Sequence, residues 1–154
     1  MIVHGDYNLG NVLVADAENF DSTPPLRAIL DWEMATCGHP LMDVGVLATN
    51  NGPLGVKIME FASPVSSLPG FPSIDTLVNA YSAKTAIDTT SLPFFYVLAF
   101  FKVLVIAEGV RSRFERGTTT GEGFELIGRS VPELAEAMLD YANASGIRGL
   151  SGRL

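Results

Sequence analysis

Apolar residues fall in two rhythms along this chain. In the first forty residues they come as short runs, Ile2-Val3, Val12-Leu13-Val14 and Leu26 to Leu30, separated by polar stretches. Ile2-Val3 leads into a polar turn, His4 to Gly10. Runs of this length bounded by Gly, Asn, Asp and Pro predict strands, one over Asn11 to Val14 and one over Leu26 to Leu30. The Asp-, Asn-, Ser-, Thr- and Pro-rich residues 16–25 between them predict a loop. The simplest pairing is an antiparallel hairpin. It would bring Asn11, which opens the first strand, to the same end as Asp31, which follows the second.

From Leu41 the rhythm lengthens. Leu41, Val44, Leu47 and Ala48 share one face of a helix predicted over 41–48. Ser73 is suited to cap a helix running to about Lys84, with Leu77, Val78 and Tyr81 inward. Residues 92–116 read as a long helix, apolar first and basic later. Arg111, Arg113 and Arg116 suit the negative pole of its dipole, and Gly117 can stop it. A last helical stretch covers 124–144, with an interruption suggested near Ser130, where Ser130-Val131-Pro132-Glu133 has the form of a capping box. Residues 50–72 predict a long irregular connection, 118–123 a loop, and 145–154 a flexible tail. No internal repeat is present.

Composition sharpens this picture. A chain of 154 residues that is 47% apolar and 18% charged fits one domain with a real core. A net charge of -7 argues against wide contact with nucleic acid, which needs clustered cations. It leaves room for a nucleotide that arrives with magnesium. Cys37 stands alone, so neither an intrachain disulfide nor a Cys-rich zinc site can form, and a reducing, cytoplasmic setting is expected. The first six residues have no signal-peptide pattern. Phe94 to Ala107 is too short for a bilayer span of ~20 residues and carries Lys102, which predicts a buried core helix and no membrane contact. Trp32 and the Phe-rich helix read as core.

The candidate chemistry lies in His4-Gly5-Asp6-Tyr7-Asn8-Leu9-Gly10-Asn11, a His-x-Asp followed by four residues and Asn. Phosphoryl transfer needs a carboxylate facing the acceptor hydroxyl and oxygen ligands for magnesium. Asp6 suits the first task, Asn11 and Asp31 the second. Read more blandly, Asp6 is a turn residue, Asn11 and Asp31 are caps, and His4 is a hydrogen-bonded brace of the loop. The spacing of all three, with a strand, loop and strand between, favours the chemical reading. Arg111, Arg113 and Arg116 are a solvated face rather than a phosphate clamp, and His39 with Asp43 makes too few ligands for a metal.

The segments His4-Gly-Asp-x4-Asn11, Leu30-Asp31-Trp32-Glu33 and Gly38-His39-Pro40-Leu41-Met42-Asp43 resemble the aminoglycoside phosphotransferase and choline-kinase-like superfamily. The likeness is greatest to the subgroup related to kinase-like domains fused to acyl-CoA dehydrogenases. Pro69-Gly70-Phe71-Pro72, the Phe101-Lys102 helix and Arg113-Phe114-Glu115-Arg116-Gly117 share in it, to about residue 140. The resemblance implies an α+β fold, the C-terminal lobe of a protein-kinase-like architecture, with a short hairpin and a mostly helical subdomain over 1–144. It implies Asp6 as catalytic base, Asn11 and Asp31 as ligands of Mg2+ and the ATP it accompanies, Glu33 near the metal, and Asp43 as a structural support of the loop with His4. Trp32 stands where kinases often have Phe, His39 where many relatives have Asp, and Asn8 where the subgroup often has Arg.

A kinase also needs a lobe over the phosphates, with a strand lysine and a helix glutamate. Only Met1, Ile2 and Val3 precede His4, so an absent N-terminal lobe is expected, with exposed apolar surface and self-association or a need for the missing piece. The expected activity is ATP-dependent transfer of a phosphoryl group to a small-molecule hydroxyl, weak or absent in this chain alone. The rivals are a non-catalytic kinase-like remnant serving as an interaction module and, behind it, a metal-dependent hydrolase.

Overall fold

A computed structural model describes residues 1–16, 25–51, 68–118 and 124–147. Most of the loops expected at 16–25, 50–72 and 118–123, and the tail from 148, lie outside them. The described residues form strands β1 (Ile2–Val3), β2 (Val12–Val14), β3 (Leu26–Ile29) and β4 (Thr36–Cys37), then helices α1 (Leu41–Asn51), α2 (Ile74–Thr85), α3 (Leu92–Glu115) and α4 (Phe124–Ala144). Strand and helix therefore segregate along the chain, as the two apolar rhythms predict.

The hairpin is antiparallel, with Val12 opposite Ile29 and Leu13 opposite Ala28, and a register shift at Val14. The Leu30 amide donates to the Asn11 carbonyl at 2.8 Å, which carries the ladder to the end where the motif lies. A second two-stranded ribbon pairs β1 with β4, Ile2 opposite Cys37 and Val3 opposite Thr36. This ribbon is not legible in the sequence, because two residues are too few for a periodicity.

The core sits among the helices. Phe100 is fully enclosed, with Tyr96, Val97 and Leu104 of α3 facing Ala48 of α1 and Leu134, Met138 and Ala142 of α4. At Gly45 the two backbones of α1 and α3 come so close that a Cβ there would stand 2.6 Å from the Phe95 carbonyl oxygen. Ser73 caps α2, its hydroxyl accepting from the Thr76 amide. Gly117 ends α3 in the left-handed conformation, φ +67°, as the sequence predicts.

Three expectations need correction. Helix α4 runs unbroken from Phe124 to Ala144 with Pro132 inside it. The packing of Val131, Leu134, Met138 and Ala142 against α3 outweighs the backbone hydrogen bond that proline removes. Trp32 is not core: it is 50% exposed. Helix α3 is buried on one face only, with Phe94, Leu98, Phe101, Val105 and Ile106 exposed. It is, among the described residues, the one helix long and apolar enough to cross a membrane, yet its buried face supplies much of the domain core.

Candidate active site

The site is assembled from the turn after β1 and the open end of the hairpin, where β2 begins and β3 finishes. His4 is 2% exposed and spends its whole polar inventory on shaping the turn. Its Nε2 lies 2.7 Å from the Leu30 carbonyl oxygen, and its Nδ1 accepts from the Asp6 amide at 3.2 Å. A carbonyl can only accept and an amide N–H can only donate, so these partners select the Nε2–H tautomer. Asp43, in the first turn of α1, accepts from the His4 amide at 2.8 Å through Oδ2 and from the Gly5 amide at 2.9 Å through Oδ1. Two side chains thus fix three consecutive amides, and the peptide before Asp6 has little freedom left.

Gly5 is required by this course. Its φ is +84°, and a Cβ would meet the Met34 carbonyl oxygen at 2.6 Å. Asn8 stands at the cap of the short 3-10 turn Leu9–Asn11, accepting from the Gly10 amide at 2.9 Å and donating to the Asp6 carbonyl at 3.2 Å. The residue in place of the subgroup's Arg therefore organises the loop.

Asp6 and Asn11 meet side chain to side chain. The Asn11 amide nitrogen donates to the Asp6 carboxylate at 3.0 Å and to the Asp6 carbonyl at 2.9 Å. Asn11 is only 8% exposed, and using its nitrogen on Asp6 leaves its Oδ1 as the atom that could face a cation. Asp31 is brought to the same end through the Leu30–Asn11 backbone bond rather than through its own side chain. It adopts a left-handed conformation, φ 60° and ψ 56°, at the start of the 3-10 turn Trp32–Met34, with no capping hydrogen bond from its carboxylate. Asp31 and Ala86 are the only non-glycine residues with positive φ among the described residues. Such backbone is unfavourable by order 1–3 kcal/mol and clusters at functional sites.

Trp32 covers the turn from outside. Its ring lies 4.6 Å from that of His4, and its Nε1 donates to the Ile29 carbonyl at 2.8 Å. Glu33 is exposed within the 3-10 turn and has no hydrogen bond to Asp6, Asn11 or Asp31. His39 stacks on Phe95 at 4.7 Å, and its Nδ1 accepts from the Leu41 amide, which gives it a structural task. No three His, Cys, Asp or Glu side chains gather to hold a metal among the described residues. A cation here would count the Asn11 amide oxygen among its ligands. An all-oxygen donor set of one amide and carboxylates fits magnesium, a hard cation, and not zinc.

Sequence reasoning missed Lys102. From α3 its Nζ donates to the Gly5 carbonyl at 2.6 Å and reaches the Met34 sulfur at 3.5 Å. The available signal was a single charge inside an apolar helix. A cavity of about 420 Å³ adjoins the motif at Tyr7; Met1 and Ile2 line it beside the motif, and Asp43, Val44, Leu47, Leu77 and Tyr81 line it from α1 and α2.

The model of the phosphotransferase enzyme family matches residues 1–60. That interval holds every element of the site except Lys102. Over those residues the chain is similar to that family. A crystal structure of a candidate aminoglycoside phosphotransferase from Ralstonia eutropha superposes with a TM-score of 0.72 at 26% identity, covering 93% of this chain and 42% of that one. Acyl-CoA dehydrogenase family member 11 of Rattus norvegicus is 34% identical over 145 residues, covering 92% of this chain and 18% of that protein. Family member 10 of Mus musculus is 27% identical over 150 residues, covering 96% and 14%. The chain thus spans less than a fifth of these curated relatives.

Proposed function

We propose that this chain carries the phosphoryl-transfer half of an ATP-dependent phosphotransferase acting on a small-molecule hydroxyl, in the manner of the C-terminal lobe of a protein-kinase-like fold. One observation carries the reading: the Asn11 amide nitrogen holds the Asp6 carboxylate, on a turn whose preceding amides are tied by His4 and Asp43. Such an arrangement orients one carboxylate oxygen and leaves the other to an acceptor. Asp6 would accept the proton of the acceptor hydroxyl as its oxygen bonds to phosphorus and the bond to the departing nucleoside diphosphate breaks. Asn11 and Asp31 would hold magnesium, with Glu33 at the outer edge of the same turn. Magnesium, when bound, neutralises charge on the donor phosphates. The protein's own contribution is mostly positioning, which is where phosphoryl transfer is most sensitive.

The test supplies the N-terminal lobe of a complete relative and compares the parent with Asp6→Asn for phosphate transfer. A general base contributes roughly 10²–10⁴-fold, and Asn keeps the shape of Asp while losing its basicity. Equal rates would remove Asp6 from the chemistry.

A second reading, a non-catalytic interaction module, is favoured by the outer face of α3. Phe94, Leu98, Phe101 and Val105 recur at helical spacing, each between 40% and 55% exposed. Calorimetry of the chain alone with magnesium and ATP separates the two. Heat of binding supports the phosphotransferase; none at millimolar ligand supports the module.

A further inference from the structure

The two turns that carry Asp6 and Asp31 come from different parts of the chain, and one side chain from a third part bridges them. Lys102 is the lone charge between Phe94 and Ala107. It is half-buried, and its ammonium reaches the turn that carries Asp6. One N–H goes to the Gly5 carbonyl, the group immediately before the Asp6 amide. A second reaches the sulfur of Met34, which closes the 3-10 turn that Asp31 begins. At this point the turns nearly touch, since a Cβ on Gly5 would stand 2.6 Å from the Met34 carbonyl oxygen. The contact is maintained from behind by His4, whose ring joins Leu30 to the Asp6 amide.

We infer that Lys102 is a positioning residue of this site: its ammonium, anchored on the rigid core helix, sets the separation between the Asp6 turn and the Asp31 turn. The physical case is one of direction. A carbonyl and a thioether are neutral acceptors, so the lysine keeps its full charge beside two acidic turns instead of cancelling against one carboxylate. Its own helix is fixed by Phe100 and Leu104, one on each side of it in sequence. Any change in the Gly5–Met34 gap must therefore move Asp6 relative to Asp31. This assignment of a role in metal holding rests on the phosphotransferase reading; the bridge itself does not.

The chain carries its own reporter, because Trp32 is the only tryptophan and sits in the bridged turn against His4. Lys102→Met keeps the length of the stem and the helix propensity while deleting the donors. Lys102→Arg keeps a charged donor. In the chain alone, Lys102→Met should shift Trp32 emission to longer wavelength, raise its quenching by acrylamide and speed amide exchange at Gly5 and Asp6. Its helical circular dichroism should match the parent, and Lys102→Arg should recover most of the parent signal. In the lobe-supplied protein, Lys102→Met should raise the half-saturating magnesium concentration by up to roughly tenfold, the order of one hydrogen bond from a charged donor, with Lys102→Arg again restoring it. Parent-like Trp32 emission and exchange in Lys102→Met would overturn the inference, as would equal defects in the Met and Arg variants. If the lobe-supplied parent transfers no phosphate, the phosphotransferase reading falls, while Trp32 and amide exchange still decide whether Lys102 positions the turns.

Discussion

The first 45 residues and the helices that follow are held by different forces. In the former, direction matters most: Asp43, His4 and Asn11 each satisfy backbone amides or carbonyls of the turns, and strands of two to four residues supply little apolar burial. In the latter, volume matters most: Phe100, Leu104, Leu134 and Met138 interdigitate between α3 and α4. The two regions should accordingly fail in different ways. Loss of volume should unfold the helices, whereas loss of one acceptor should disorder the site and spare them.

Phe100→Ala should have the largest effect. The ring is fully enclosed, and truncating a buried Phe destabilises by about 3–5 kcal/mol because the cavity cannot fully close. For a domain whose total stability is about 5–15 kcal/mol, that is a large share. Urea unfolding followed by circular dichroism should show a much lower midpoint. A loss under about 1 kcal/mol would mean that α3 is not held by packing, and the contrast between regions would break.

Asp43→Ala comes next. It strips the amides of His4 and Gly5 of their acceptor, and an unsatisfied buried donor costs about 1–3 kcal/mol. Helical circular dichroism should stay near the parent value while Trp32 emission and amide exchange at residues 4–6 change. Asp43→Asn keeps one acceptor oxygen and should recover part of the order. Helical and Trp32 signals lost together at one urea concentration would show that the turn and the helices form a single cooperative unit.

How much of this could be read in advance follows the same division. The hairpin and the meeting of Asn11 with the end of β3 were legible because strand pairing turns sequence spacing into position. The capped start of α2 and the glycine end of α3 were legible because they are local backbone chemistry. Lys102 was not, because its partner is a main-chain carbonyl 97 residues away that any residue could supply. Continuity of α4 through Pro132 was missed for a related reason. A capping pattern is read locally, but Leu134, Met138 and Ala142 are held by α3, which the local pattern cannot see. Trp32 reads as core in the sequence, whereas the folded chain leaves it half-exposed with its ring against His4 over a turn.

The smallest expected effect lies at the exposed end of α3. Arg111 donates to Glu108, three residues before it, and to Glu115 at 2.7 Å, four residues after it. The hydrogen bond from Arg111 holds the Glu108 carboxyl below its ordinary range; desolvation opposes this, and the Arg111 charge adds to it. A carboxylate whose folded pKa is depressed stabilises the fold above its ordinary pKa, and that contribution is lost as pH falls through the folded value. Any difference between parent and Arg111→Ala should therefore be present at pH 7, fade as pH falls through the lowered Glu108 value, and shrink with added salt. All three side chains are 39–58% exposed, and exposed pairs contribute little after screening and side-chain entropy. Melting curves at pH 7 should be nearly superimposable. A drop as large as that of Asp43→Ala would mean that directed charge, rather than packed volume, secures α3 as well. The two regions would then differ in composition but not in the force that holds them.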